Sequence, residues 1–92
     1  MITLYSKPNC PYCTMAKNYL DNNNFEYEVI DITENPDAKN FLLNEGHRTM
    51  PQIYHDGKLL VQGGAQALTR LNPATVRELI GEINLNVSNF QL

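Results

Sequence analysis

The stretch Cys10-Pro11-Tyr12-Cys13 holds the only two cysteines of the chain and follows closely on a short apolar segment, Ile2-Thr3-Leu4-Tyr5. A Cys-x-x-Cys at a strand-to-helix junction can make and break one disulfide reversibly. The first thiol of such a pair lies near a helix N-terminus, where the macrodipole favours the thiolate, and the thiolate is the attacking species in disulfide exchange. The stretch therefore points to redox chemistry and to a β-α start. A zinc site is the competing use of such a pair. It needs four ligands, no further cysteine exists, and His47 and His55 are spaced more widely than a usual finger pair.

Working outward, Ile2 to Tyr5 reads as a strand and Ser6-Lys7-Pro8-Asn9 as its loop. A helix begins at Cys10 to Tyr12, with Pro11 in the first turn, where a missing N–H costs nothing. Met15, Ala16, Tyr19 and Leu20 recur at helical spacing, and Asp21 to Asn24 is a polar turn. Phe25 to Ile32 starts as an alternating strand, with Phe25, Tyr27 and Val29 on one side and Glu26 and Glu28 on the wet side. Asn35-Pro36 opens a second helix, with Asp37 serving its N-terminus, a stripe of Ala38, Phe41 and Leu42, and a stop at Gly46. Gln52 to His55 and Leu59 to Val61 read as strands joined by an Asp56-Gly57 hairpin turn. Gly63-Gly64 breaks the pattern. Ala65, Ala67, Leu68 and Leu71 suggest a short helix, and Asn72-Pro73 opens another with Val76, Leu79, Ile80 and Ile83 on one face.

The order is β-α-β-α-β-β-α, the last helical region being in two pieces. Alternating strands and helices give parallel pairing in the first half, and the hairpin requires an antiparallel pair in the second. The expected fold is an α/β one, a central four-stranded mixed β-sheet flanked by helices on both faces. With 92 residues the chain makes a single domain, with a core over about 1–83 and a C-terminal tail over 84–92 whose apolar Leu85, Val87, Phe90 and Leu92 either dock or fray.

A 42% apolar fraction supports a real core, and a net charge of −3 with no run of Lys or Arg argues against nucleic acid as a partner. No apolar stretch approaches the roughly 20 residues of a membrane span. Met1 to Tyr5 has no basic, long-apolar signal character, so a cytoplasmic protein is expected, in a reducing compartment where a cysteine pair is catalytic more often than structural. Asn86-Val87-Ser88 matches a glycosylation triplet that then carries no meaning. Tyr5, Tyr19 and Tyr27 read as core or core-edge residues, and His47 and His55 as surface or strand-end groups.

Three motifs occur in order: Cys10-Pro11-Tyr12-Cys13 after the first strand, Thr49-Met50-Pro51 before the third, and Gly63-Gly64 after the fourth. Together they resemble the dithiol glutaredoxins of the thioredoxin-like superfamily, over nearly the whole chain. The resemblance implies the thioredoxin-like (glutaredoxin) fold, with Cys10 as nucleophile and Cys13 as the more buried resolving thiol. It implies a cis Met50–Pro51 bond that turns the Met50 backbone toward Cys10. Helix N–H groups and the cation of Lys7 would stabilise the Cys10 thiolate. Pro11 stiffens the helix start, and Tyr12 would lie beside the sulfur against a bound tripeptide.

In glutaredoxins the glycine pair and the helix after it hold the γ-glutamyl end of glutathione, and the residues expected to bind here are Thr49, Met50, Pro51, Gly63, Gly64, Ala65 and Gln66, with Lys7 or Arg48 at the glycyl carboxylate. Most members carry an acidic or hydroxyl residue just after the glycines. This chain has Ala65-Gln66-Ala67, so Gln66 offers an uncharged carbonyl and glutathione affinity falls below the family norm unless backbone groups and the cations compensate. The activity implied is glutathione-dependent reduction of protein disulfides and glutathione mixed disulfides by a monomer, with glutathione as co-substrate and no metal. Implied clients are disulfide-containing or glutathionylated proteins, ribonucleotide reductase among them. Three other readings compete. A glutaredoxin-like redoxin recharged by thioredoxin reductase usually carries an aromatic-Ser-Gly-Phe stretch where this chain has Gln62-Gly63-Gly64-Ala65. A glutathione-ligated iron–sulfur module goes with motifs lacking the proline, against Pro11. The last is an interaction domain with inert thiols.

Overall fold

The structure is a computed structural model that describes residues 1–81; Ile83, the tail and its apolar residues, and the Asn86 triplet lie outside the described residues. Its elements are β1 (Ile2–Ser6), α1 (Pro11–Asn22), β2 (Tyr27–Asp31), α2 (Pro36–Asn44), β3 (Gln52–His55), β4 (Lys58–Leu59), α3 (Gly64–Thr69) and α4 (Pro73–Leu79). The sheet order is β2-β1-β3-β4, with β1 and β2 parallel and the other pairs antiparallel. This is the mixed four-stranded sheet that the pattern of elements predicts.

Alternation along the two inner strands divides the core. Ile2, Leu4 and Ile53 point to one face, where they meet Ala16 and Leu20 of α1, Ala65 and Leu68 of α3 and Val76 of α4. Tyr5 and Tyr54 point to the other, where Phe41 of α2 packs at ring-centroid distances of 6.0 and 5.4 Å. Tyr19 and Tyr27 sit at the core edge, their hydroxyls donating to the Leu71 carbonyl at 2.8 Å and to Asp21 at 2.7 Å.

The helix ends follow their residues. Asn35 and Asn72 cap α2 and α4 by accepting from Ala38 and Ala74 N–H groups at 3.0 and 2.9 Å, each with proline next. Helix α2 stops in a Schellman turn at Gly46 (φ +88°), where Gly46 N–H donates to the Leu43 carbonyl and His47 N–H to that of Leu42. Asp56 (φ +50°) and Gly57 (φ +80°) make the two-residue hairpin turn.

Several expectations are corrected. Phe25 does not start β2: Asn24 (φ +60°) ends α1 in a second Schellman turn, with Asn24 N–H on the Asp21 carbonyl and Phe25 N–H on that of Leu20. Phe25 is buried at the helix exit, under the Arg77 guanidinium at 4.9 Å. Val29 is 44% exposed because β2 is the outer strand and the helices lie over β1 and β3. Met15 is exposed because the inward stripe of α1 is Cys13, Ala16 and Leu20, with Met15 turned about 100° from Ala16. Leu79 is exposed at the last residue of α4. Strand β4 is Lys58–Leu59 rather than Leu59 to Val61, since a two-residue turn sets His55 against Lys58; Val61 is buried beyond it.

His47 is not a free surface group. Its Nε2 lies 2.8 Å from the hydroxyl of Tyr54, which is buried and donates to Glu45 at 3.3 Å. Burial first, then the Glu45 charge, pushes the Tyr54 pKa up to about 12, and burial with the Asp21 hydrogen bond takes Tyr27 to about 12 as well. An unfolded chain releases these protons near pH 10, at roughly the free tyrosine value. Between the two values the native chain holds protons that the unfolded chain has lost. Stability is therefore full below about pH 10 and falls as pH rises toward about 12. The urea midpoint of the oxidised protein should be lower at about pH 11 than at about pH 9, and Tyr54→Phe should flatten part of that slope. An unchanged midpoint would contradict the assignment.

Candidate active site

Strand β1 ends at Ser6, and three loop residues deliver the chain to Cys10. Asn9 makes the final bend with φ +57°, a left-handed conformation that asparagine tolerates better than most residues. Cys10 is extended (φ −120°, ψ 100°) and is the N-cap of α1, with Pro11 in the first turn. Its Sγ accepts the Cys13 N–H at 3.2 Å, and its carbonyl accepts the Thr14 N–H at 3.1 Å. The sulfur thus occupies the place where a serine or aspartate oxygen usually caps a helix.

Cys10 and Cys13 are joined by a disulfide across 5.2 Å between Cα atoms. Cys13 is 2% exposed and forms part of the inward stripe, whereas Cys10 is half-buried. An incoming reagent therefore meets Cys10 first. Closing so short a loop constrains the unfolded chain by only about 2 kcal/mol on the chain-entropy estimate. The pair is thus better suited to exchange than to stapling.

The Met50 carbonyl oxygen lies 3.8 Å from the Cys10 sulfur. The Met50–Pro51 bond is cis, as the resemblance implies. This loop is braced from behind. Gln52 is buried and its Nε2 donates to the Thr49 carbonyl at 2.9 Å, while His47 is held on Tyr54.

The glycine pair packs on the same loop. Gly63 has φ +112° and Gly64 φ +68°, and a Cβ on Gly64 would stand 3.2 Å from the Pro51 carbonyl oxygen. At Gly64 the Pro51 backbone itself disfavours a side chain, and at Gly63 the Ala67 Cβ at 3.1 Å does the same. Helix α3 has only six residues, so its N-terminus presents first-turn N–H groups rather than a long dipole.

These segments enclose a cavity of about 450 Å³. Its wall carries Lys7, Cys10, Pro11 and Tyr12 from the redox segment, Arg48, Thr49, Met50 and Pro51 from the loop, and Gly63, Gly64, Ala65 and Gln66 from the glycine turn. Every binding residue expected from sequence is thus brought together around Cys10, and Cys13 lies behind the wall. Asn9 also lines the cavity and was missed; its signal was an asparagine directly before a helix cap. Gln66 Nε2 donates weakly to the Tyr12 hydroxyl at 3.4 Å, linking α3 to α1 across the mouth. The volume is in the range of small-ligand sites. Lys7 and Arg48 give it two cations for anionic ends.

The family model described as Glutaredoxin matches residues 2–60. Mitochondrial glutaredoxin-2 of Bos taurus is 34% identical over 77 residues, covering 77% of this chain and 46% of that protein. Glutaredoxin 1 of Rickettsia felis is 37% identical over 70 residues, covering 73% of this chain and 67% of that one. The match thus spans about half of the bovine relative and two thirds of the rickettsial one. Among solved structures, the glutaredoxin-like protein NrdH-redoxin from Escherichia coli, described as having a thioredoxin-like activity profile, superposes with a TM-score of 0.64 at 26% identity, over 85% of this chain and 92% of that one.

The glycine turn makes a direct test of the packing. Gly46 and Gly64 both have positive φ, but only Gly64 faces a fixed backbone oxygen. Gly46→Ala should cost roughly 1 kcal/mol of stability, and Gly64→Ala about 2–3 kcal/mol because the clash adds to the strain. Equal urea midpoints for the two variants would show that Gly64 does not bear on Pro51.

Proposed function

The chain belongs to the glutaredoxin family, and on that premise we propose that it is a glutathione-dependent thiol–disulfide oxidoreductase working through Cys10 and Cys13. The observation that carries the reading is the cavity opening onto the outer sulfur, bounded by the Met50 backbone on one side and the glycine turn on the other, with Lys7 and Arg48 on its wall. An extended peptide laid along Met50 would meet backbone groups as an added strand does. The two carboxylates of glutathione would find the cations and the first-turn N–H groups of α3.

In the reduced protein the Cys10 thiolate attacks a protein disulfide or a glutathione mixed disulfide. A mixed disulfide forms on Cys10, and the displaced sulfur leaves as a thiolate that takes a proton from solvent. Either Cys13 then attacks the Cys10 sulfur and displaces the one held on it, or a glutathione thiol attacks the held sulfur, forms a disulfide with it and releases the Cys10 thiolate. Two glutathione molecules return the Cys10–Cys13 disulfide to the dithiol and leave as glutathione disulfide. The Cys13 N–H and the helix end stabilise the negative charge on Cys10 in each departure. Glutaredoxins work at roughly −200 to −230 mV, which suits exchange with a cytosolic glutathione pool. Cytoplasmic action as a monomer on disulfide-bearing or glutathionylated proteins, with ribonucleotide reductase as one client, belongs to the same proposal.

A second reading has a specific basis. Gln66 stands where most family members place an acidic or hydroxyl group, and the E. coli structure with the thioredoxin-like profile is among the structural relatives. A redoxin recharged by thioredoxin reductase would share the fold and the cysteine pair. Against it, Gln62-Gly63-Gly64-Ala65 has no aromatic residue in the turn.

Turnover of a small glutathione mixed disulfide, coupled to NADPH through glutathione reductase, decides between them. The parent should turn over, Cys10→Ser should lose at least about a thousandfold, as expected when a nucleophile is removed, and Cys13→Ser should retain activity because glutathione can replace the resolving thiol. A parent that is inactive there but draws electrons from thioredoxin reductase would establish the redoxin reading instead.

A further inference from the structure

A second cavity, of about 600 Å³, adjoins the first at Lys7, Asn9, Cys10 and Pro11, and its wall also carries Cys13, Thr14 and Lys17. The proposed function gives it no role. Its charge is one-sided. Among the described residues no Asp or Glu lines either cavity at the disulfide, although the chain carries ten acidic groups against seven Lys and Arg. Neither lysine makes an ion pair among the described residues. Asp31 is close enough for Lys17 to help lower its pKa, after two hydrogen bonds from Thr33; those bonds, from the Thr33 hydroxyl at 2.6 Å and its N–H at 2.9 Å, occupy Oδ1 of the carboxylate. Lys17 thus lines the groove while also facing the Asp31 carboxylate, whose charge those neutral donors leave in place.

Exchange chemistry gives this groove a use. A thiolate attacks a disulfide along the S–S axis, so the attacking, central and leaving sulfurs are nearly collinear. The cap of a small mixed disulfide needs little room. A protein disulfide carries a second polypeptide arm, and with one arm along Met50 the other must cross the surface beside the first cavity. The cavity that adjoins it at the sulfur is the one lined by Lys7 and Lys17.

We infer that the groove between Lys7 and Lys17 docks the second arm of a protein disulfide client and selects an arm bearing acidic residues beside its cysteine. The inference rests on the thiol–disulfide exchange of the proposed function but not on its glutathione step. Atoms balance as there: the near sulfur of the client bonds Cys10 and the far sulfur leaves along the groove and is protonated from solvent. Cys13 gives up its proton and displaces the near sulfur. The client leaves as a dithiol, two electrons richer, and the chain as the Cys10–Cys13 disulfide.

The test uses two synthetic peptides, each with one internal disulfide, one carrying two glutamates beside a cysteine and the other glutamines. Rates of reduction by the fully reduced protein are read by trapping the freed thiols, with a small uncharged alkyl disulfide as reference. At low salt the glutamate peptide should react roughly five- to tenfold faster, as two exposed charge pairs allow. Lys17→Gln should cut that preference about threefold, the share of one pair, and leave the alkyl disulfide unchanged. Added salt should erase the preference in the parent. Equal rates for the two peptides in the parent would overturn the inference, as would a preference that Lys17→Gln leaves undiminished. So would an equal slowing of all three substrates by Lys17→Gln, which would mean that the lysine tunes the sulfur rather than docking a client. If the peptides show the expected pattern while glutathione fails to recharge the protein, the groove stands and the glutathione reading falls.

Discussion

A single hydrogen bond, from the Cys13 N–H to the Cys10 sulfur at 3.2 Å, joins the fold to its chemistry. The helix needs an acceptor at that point, since the N–H groups of its first turn have no partner within the helix. Pro11 removes one donor and leaves the Cys13 N–H facing the sulfur. A neutral thiol is a weak acceptor and a thiolate a strong one. The helix end therefore lowers the free energy of the thiolate, and by linkage the thiolate lowers that of the helix. The redox atom and the cap are the same atom, so a side chain without an acceptor at Cys10 would remove both at once, whereas serine would keep the cap and lose the reactivity.

The opposite wall has to stand still for this to matter. The Met50 carbonyl lies 3.8 Å from the sulfur, at the tip of a loop that, among the described elements, leaves α2 and enters β3. Each end of the loop is anchored separately. The Schellman turn at Gly46 sets the direction of His47, the Tyr54 hydroxyl holds its ring, and Gln52 ties the Thr49 carbonyl from inside the first residue of β3. Tyr54 is in turn wedged edge-on against Tyr5 and Phe41, with centroids 5.5 and 5.4 Å away. The aromatic face of the sheet thus supports the loop, while the aliphatic face supports the helix that carries the cysteines. The central strand β1 contributes to both, through Leu4 on one side and Tyr5 on the other.

Much of this is legible in the sequence because it is local. Asn35-Pro36, Asn72-Pro73, Asp56-Gly57 and Gly46 each state a cap, a stop or a turn in adjacent residues, and each is found. The three motifs of the site were legible only together, through a family resemblance. What escaped depends on partners distant in the chain. Val29 alternates as an inward residue should, but nothing in the stretch says that β2 lies outermost. Met15 and Ala16 both fit a helical stripe, and the buried position of Cys13 decides which stripe faces in. Asn24 and Phe25 read as turn and strand, yet they close a helix. The clash that Gly64 avoids is with Pro51, and no reading of the glycine pair alone reveals it.

The charges around the sulfur make the last step of the argument. A thiolate needs positive surroundings, and the helix N–H groups with Lys7 and Arg48 supply them, without a carboxylate among the described residues of either cavity wall. The same field that favours the thiolate draws anionic ligands to it and repels an ammonium. In most family members an acidic or hydroxyl residue after the glycines offsets that repulsion locally. Here Gln66 is neutral, and its amide is already directed at the Tyr12 hydroxyl. The cavity is therefore more uniformly positive than the family pattern provides for. On the proposed function, glutathione would have to place its ammonium beside the glycine turn next to this one uncharged side chain, a demand that a client without an ammonium there would not make.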